Sequence, residues 1–112
     1  MASERPLAAI LGAGSDYSGD MKFEGRVRVD GTFRGRIFTE DALEVGPGGF
    51  VDGEADVLHA VIAGRVKGKL HVRELLVVES TGIIEGLVDA QLLEARQGAS
   101  ISGQIRIAGQ ER

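Results

Sequence analysis

Val51-Asp-Gly53-Glu-Ala55-Asp-Val57 and, fifteen residues further on, Val66-Lys-Gly68-Lys-Leu70-His-Val72 are two copies of one pattern: apolar, any, glycine, any, apolar, any, apolar or small. Four more copies flank them: Tyr17-Ser-Gly19-Asp-Met21-Lys-Phe23, Phe33-Arg-Gly35-Arg-Ile37-Phe-Thr39, Ile84-Glu-Gly86-Leu-Val88-Asp-Ala90 and Ile101-Ser-Gly103-Gln-Ile105-Arg-Ile107. The six glycines lie 16, 18, 15, 18 and 17 residues apart. A period near 17 with two-residue alternation inside each copy marks a solenoid in which one repeat makes one coil.

Outside the glycine motif each copy carries a second apolar step: Ala9 and Leu11, Val27 and Val29, Leu43 and Val45, Val61 and Ala63, Leu75 and Val77, Leu93 and Ala95. Side chains two apart share one face of a strand, so these pairs and the apolar motif positions are predicted to point inward. Corners such as Gly46-Pro-Gly-Gly49 and Glu79-Ser-Thr-Gly82 separate the strands. The prediction is an all-β chain, a parallel β-helix of about six triangular coils around an apolar core, with neighbouring strands about 4.8 Å apart. An amphipathic helix fits poorly, because the alternation or an internal glycine interrupts every window.

The outward positions form predicted columns. Ser18, Arg34, Asp52, Lys67, Glu85 and Ser102 make one; Asp20, Arg36, Glu54, Lys69, Leu87 and Gln104 make the next. Signs alternate through the middle of both, and opposite charges on adjacent strands contribute about 0.2–1 kcal/mol each. A slip of one coil would oppose like charges, so the ladder helps to set coil order.

The 112 residues make one domain, drawn as a flexible tail over 1–8, the β-helix over 9–107 and a short tail over 108–112. With 13 basic against 17 acidic residues, net charge −4, electrostatic capture of nucleic acid is not expected. Cysteine is absent, which excludes a disulfide framework and thiolate metal sites. Leu7-Ala-Ala-Ile-Leu11 is too short to span a bilayer, which takes about 20 apolar residues. It has two readings, a peripheral membrane foot or filling for the first coil, and the spacing of Ala9 and Leu11 from Tyr17 favours the second.

The run Ile10-Leu-Gly-Ala-Gly-Ser-Asp-Tyr-Ser-Gly-Asp-Met-Lys-Phe-Glu-Gly-Arg-Val-Arg-Val-Asp-Gly31, followed by Phe33-Arg-Gly-Arg-Ile37, resembles the opening of the bactofilin domain. Leu43-Glu-Val-Gly46 with Val51-Asp-Gly53, and Leu93-Glu-Ala95 with Gly98-Ala-Ser-Ile-Ser-Gly103, are similar to its repeated core, so the likeness covers about residues 10–107. It implies a right-handed parallel β-helix and a bacterial cytoskeletal scaffold. Such subunits join end to end, without nucleotide, into non-polar filaments that support cell shape or localise partner proteins. It also implies a cytoplasmic, cytoskeletal location, peripheral at the inner membrane if the foot reading holds. Two departures are Ile101, where the last coil of the family often carries an aromatic, and the five residues after Ile107, too few for a long partner-binding tail.

Residues suited to catalysis are sparse. His59 and His71 read as corner and surface residues, and no acidic or histidine cluster has metal-ligand spacing. Gly12-Ala-Gly14 lacks the Lys-Ser/Thr of a phosphate loop. No cofactor is expected. The enzymatic alternative is a β-helical acyltransferase of the hexapeptide type, disfavoured because the coil length wanders from 15 to 18 residues.

A β-helix exposes unpaired backbone groups and a slice of core at each end. Tyr17, Met21 and Phe23 are therefore predicted as the N-terminal polymer interface, and Ile101, Ile105 and Ile107 as the C-terminal one. Ile62, Leu76 and Val78 are expected outward, as a lateral or partner patch. The partners expected are the chain itself and other bacterial scaffold, cell-wall or segregation proteins.

Overall fold

The computed structural model describes the backbone of residues 7–107 and the side chains of residues 10–107. Ten strands follow one another without a helix among the described residues: β1 (Leu7–Leu11), β2 (Asp16–Phe23), β3 (Arg26–Val29), β4 (Thr32–Thr39), β5 (Ala42–Val45), β6 (Phe50–Val57), β7 (His59–Ile62), β8 (Arg65–Val78), β9 (Ile83–Ala95) and β10 (Ser100–Ile107). Every pairing between them is parallel. The glycine-centred strands stack in the order β2-β4-β6-β8-β9-β10, while the short strands β1-β3-β5-β7 continue onto the second half of β8 and then of β9. A short strand followed by a long one makes a coil, and six coils make a β-solenoid.

The motif glycines are required twice over. Each has φ between 116° and 135°, out of the extended region in the middle of a strand, where L-residues are rarely found. From Gly35 onward, a Cβ would also overlap the carbonyl oxygen of the glycine in the preceding coil. The glycine thus divides each long strand into two halves and lets successive coils approach closely along one line.

Inside, Phe33, Ile37, Leu43, Val51, Leu70 and Ile84 are among twenty buried apolar residues forming one continuous core. Two buried residues among those described are polar, Thr39 and Asp41; the Thr39 hydroxyl donates to the Gly25 carbonyl at 2.8 Å and accepts from the Asp41 amide at 3.2 Å.

The inward register differs from expectation in two coils. Ile62, Leu76 and Val78 are completely buried, with Ala60 beside them, and are not an outward patch; Val61, Ala63, Leu75 and Val77 face outward instead. The reason is corner length. From long strand to short strand the chain takes four residues at Thr39 to Leu43 and Val72 to Leu76, but three at Val57 to Ala60 and Ala90 to Leu93. From short strand to long it takes four at Val29 to Phe33 and Ile62 to Val66, and six in the other coils. These choices together produce every glycine spacing from 15 to 18. A three-residue corner changes the parity. At Val57 to Ala60 the Asp41 carbonyl accepts from both the Leu58 and His59 amides, at 3.1 and 3.4 Å, absorbing the missing residue. Each six-residue corner holds a β-turn, as in Gly49 N–H donating to Gly46 at 2.8 Å and Gly82 N–H to Glu79 at 2.8 Å.

β1 starts at Leu7, so the backbone of Leu7 and Ala8, assigned from the sequence to the tail, joins the first coil opposite β3. The rest of both assigned tails, 1–6 and 108–112, lies outside the described residues.

Candidate functional site: the flanks and the two ends of the rod

On the flanks the two outward columns stand as expected. Ser18, Arg34, Asp52, Lys67, Glu85 and Ser102 are successive register partners, and so are Asp20, Arg36, Glu54, Lys69, Leu87 and Gln104. Arg36 reaches Glu54 at 3.7 Å, while Glu85 is met by Arg65 at 3.0 Å, from two residues before its register partner Lys67. A third column, Lys22, Phe38, Asp56, His71, Asp89 and Arg106, was not anticipated. There Lys22 Nζ and Arg73 Cζ each lie over the Phe38 ring, at 5.5 and 5.2 Å from its centre, and Arg73 also meets Asp56 at 3.4 Å.

The alternation extends to whole coils. Residues 24–39 carry Arg26, Arg28, Arg34 and Arg36 against Glu24 and Asp30; residues 40–57 carry six carboxylates and no base. Residues 58–73 carry Arg65, Lys67, Lys69 and Arg73 and no acid, and residues 74–90 carry four carboxylates and no base. On the short-strand side Arg28 meets Asp30 at 2.9 Å and Glu44 at 3.6 Å, and Arg26 meets Glu44 at 3.4 Å. The hydrogen bond to Asp30, then its charge, holds the Arg28 guanidinium above its ordinary pKa. Exposed pairs like these contribute little singly, but as rings of alternating sign they penalise any misordering of coils.

His59 Nε2 lies 3.2 Å from Glu74 and His71 Nδ1 3.7 Å from Asp89, both pairs on the outer surface. Among the described residues no three His, Cys, Asp or Glu side chains come together as a metal site, and no helix is long and apolar enough to cross a membrane.

The ends are different from the flanks. β2 pairs only with β4, and β10 only with β9, so each leaves one edge of its backbone without a strand partner among the described residues. At the first edge Tyr17, Met21 and Phe23 pack on the core from one side and remain partly exposed. At the other, Ile101 and Ile107 do the same, Leu93 and Ala99 join them, and Ile105 is 42% exposed. Their equivalents one coil inward, Ile84, Val88 and Ala90, are fully buried. The ends are therefore cut faces of the core.

Comparison with known proteins fits this geometry. Residues 9–106 match the family described as Bactofilin, polymer-forming cytoskeletal. The chain belongs to the bactofilin family. It is also similar to Bactofilin BacO of Myxococcus xanthus (strain DK1622), with 23% identity over 103 residues, covering 92% of this chain and 82% of that protein. No solved structure matches the sequence significantly. As a bactofilin, the chain is a member of a structural cytoskeletal family whose members polymerise, and the hexapeptide-acyltransferase alternative is not favoured.

In the first strand, Leu11 is 5% exposed and part of the core, whereas Ile10 is 59% exposed. The pairing of β1 with β3 therefore agrees with the coil-filling reading of Leu7-Ala-Ala-Ile-Leu11, and Ile10 is the residue that reading leaves outside.

Proposed function

We propose that this bactofilin is a cytoskeletal scaffold whose rods join end to end, without nucleotide, into filaments that support cell shape or hold partner proteins in place. The observation that carries the reading is the pair of cut core faces, Tyr17, Met21 and Phe23 at one end and Ile101, Ile105 and Ile107 at the other. Contact there removes apolar surface from water, at about 25 cal/mol per Å². It also gives the unpaired strand edges new partners.

The filament we propose is non-polar, with N-terminal ends meeting N-terminal ends and C-terminal ends meeting C-terminal ends. Charge supports this: head-to-tail stacking in continuous register would set Arg106 of one copy over Lys22 of the next, like charge on like, at the top of a column that otherwise places His71 beside Asp56 and Asp89. The domain that assembles is residues 9–107. Scaffold, cell-wall or segregation proteins would dock on the flanks, and cytoplasmic placement with peripheral membrane contact through Leu7 to Leu11 belongs to the same proposal.

Negative-stain microscopy of the purified chain without nucleotide tests it. Unbranched filaments are expected, with no change on adding nucleotide. A monomer at every concentration, or filaments that need ATP or GTP, would overturn the proposal.

A further inference from the structure

The polar cover of the rod gives out toward its C-terminal end. Among the described residues Ile83, Leu87, Leu92 and Ile105 are exposed large apolar side chains, and all four stand on β9 and β10. Leu87 breaks the charge ladder. Its column runs Asp20, Arg36, Glu54, Lys69, so alternation calls for a carboxylate after Lys69; Leu87 stands there instead, with Gln104 beyond it. Glu54, on the other side of Lys69, is taken by Arg36 at 3.7 Å. Lys69 is therefore left without an ion pair among the described residues, and so is Arg106.

These two cations border one groove. Between Leu87 and Gln104 on one bank and Asp89 and Arg106 on the other the surface sinks into a groove of about 430 Å³ that ends at Ile105. A smaller hollow of about 210 Å³ continues it inward past Lys69 and His71. Asp89 is the one carboxylate lining either, and His71 meets it at 3.7 Å. The banks are two residues apart on each strand, about 7 Å, so the groove is a narrow strip running across the strands. Lys69 and Arg106 stand two coils apart along it, roughly 10–12 Å, the span of three or four residues of extended chain. The exposed Leu87 lies between them.

We propose that this groove is a docking site for a partner protein, which enters as an extended acidic segment with a large apolar side chain seated on Leu87 and carboxylates on Lys69 and Arg106. Charge selects this occupant: two unpaired cations flank the apolar seat, and a basic segment would meet both of them. Leu87, Lys69 and Arg106 point sideways from their strands, so end-on contact over Ile105 leaves the groove open along the flank. The inference rests on the scaffold reading, for which it names one docking place and the chemistry of the partner.

The probe is a fluorescein-labelled peptide, Gly-Asp-Leu-Phe-Glu-Gly, titrated with the full chain and followed by fluorescence anisotropy. Sedimentation of the same protein without peptide reports assembly separately. Saturable binding is expected for the wild type, weaker by about tenfold or more for Lys69→Glu combined with Arg106→Glu and for Leu87→Ser. Both variants replace outward side chains, and circular dichroism should show them folded. The basic counterpart Gly-Lys-Leu-Phe-Lys-Gly should not bind. No saturable binding to the wild type, equal binding of the basic peptide, or unchanged affinity in both variants would overturn the docking site. A wild type that stays monomeric without peptide would instead defeat the filament reading, and the anisotropy titrations would still decide the groove.

Discussion

Gly53 stacks directly on Gly35, so closely that a methyl group on Gly53 would overlap the Gly35 carbonyl oxygen, and it does so at φ 135°. The same relationship repeats up the rod through Gly68, Gly86 and Gly103. This line of glycines, more than any single apolar residue, sets how near one coil can lie to the next.

Gly53→Ala should therefore be costly. The backbone conformation alone penalises an L-residue by about 1–2 kcal/mol, and the overlap adds to it, so a loss of at least about 2 kcal/mol is expected in urea unfolding followed by circular dichroism. Gly48 makes the control: its nearest neighbour to an added Cβ is 3.8 Å away and its φ is not positive, so Gly48→Ala should change stability by less than about 1 kcal/mol. Equal effects of the two substitutions would mean that the column does not govern coil spacing.

The buried Thr39 hydroxyl bridges the Gly25 carbonyl and the Asp41 amide. Thr39→Val keeps the shape and removes both bonds from a buried corner. A loss of about 1–3 kcal/mol is expected, against near-neutrality for Thr39→Ser, which keeps the hydroxyl. A stabilised Thr39→Val would show that the corner takes up water in place of the side chain.

Leu75 and Leu76 are adjacent in sequence and opposite in role. Leu76 is completely buried, so Leu76→Ala should cost about 2–5 kcal/mol, as should Leu70→Ala in the long strand. Leu75→Ser, outward, should cost less than about 1 kcal/mol. The reverse order in thermal unfolding would restore the phase that alternation alone had suggested.

That pair also marks where the sequence stops being readable. The long strands were legible to the residue, because polar side chains separate the apolar ones and a glycine marks the centre; the columns from Ser18 to Ser102 and from Asp20 to Gln104 follow directly. In Ala60-Val-Ile-Ala63 and Leu75-Leu-Val-Val78 both parities are apolar, and alternation carries no phase information. Phase there depends on corners of three or four residues, and the shorter one at Val57 to Ala60 is accommodated by one carbonyl accepting two amides, a feature with no residue signature. At the ends, the motif positions located Tyr17, Met21, Phe23, Ile101 and Ile107 at the cut faces, but nothing in the composition of the last corner marked Ala99 as packing against the core.

His59 and His71 offer a separate check on the scaffold reading. Each sits in one exposed pair with a carboxylate, and such pairs contribute at most about 1 kcal/mol. The double variant His59→Gln, His71→Gln should fold and assemble as the wild type does, judged by sedimentation and microscopy. An acyl-transfer or hydrolytic activity present in the wild type and lost in this variant would move the chain toward the enzymatic alternative.

The most direct test of end-to-end assembly is the state of Ile105→Arg in sedimentation velocity, with electron microscopy of the same samples. Ile105 is 42% exposed on the C-terminal face, so the free subunit can keep the arginine in water and fold, whereas a junction would bury the charge without a partner at a cost of several kcal/mol. The expected result is a folded dimer, joined through Tyr17, Met21 and Phe23, that does not extend. Filaments of wild-type length from Ile105→Arg would contradict the assignment of the assembly surface to the ends of the rod.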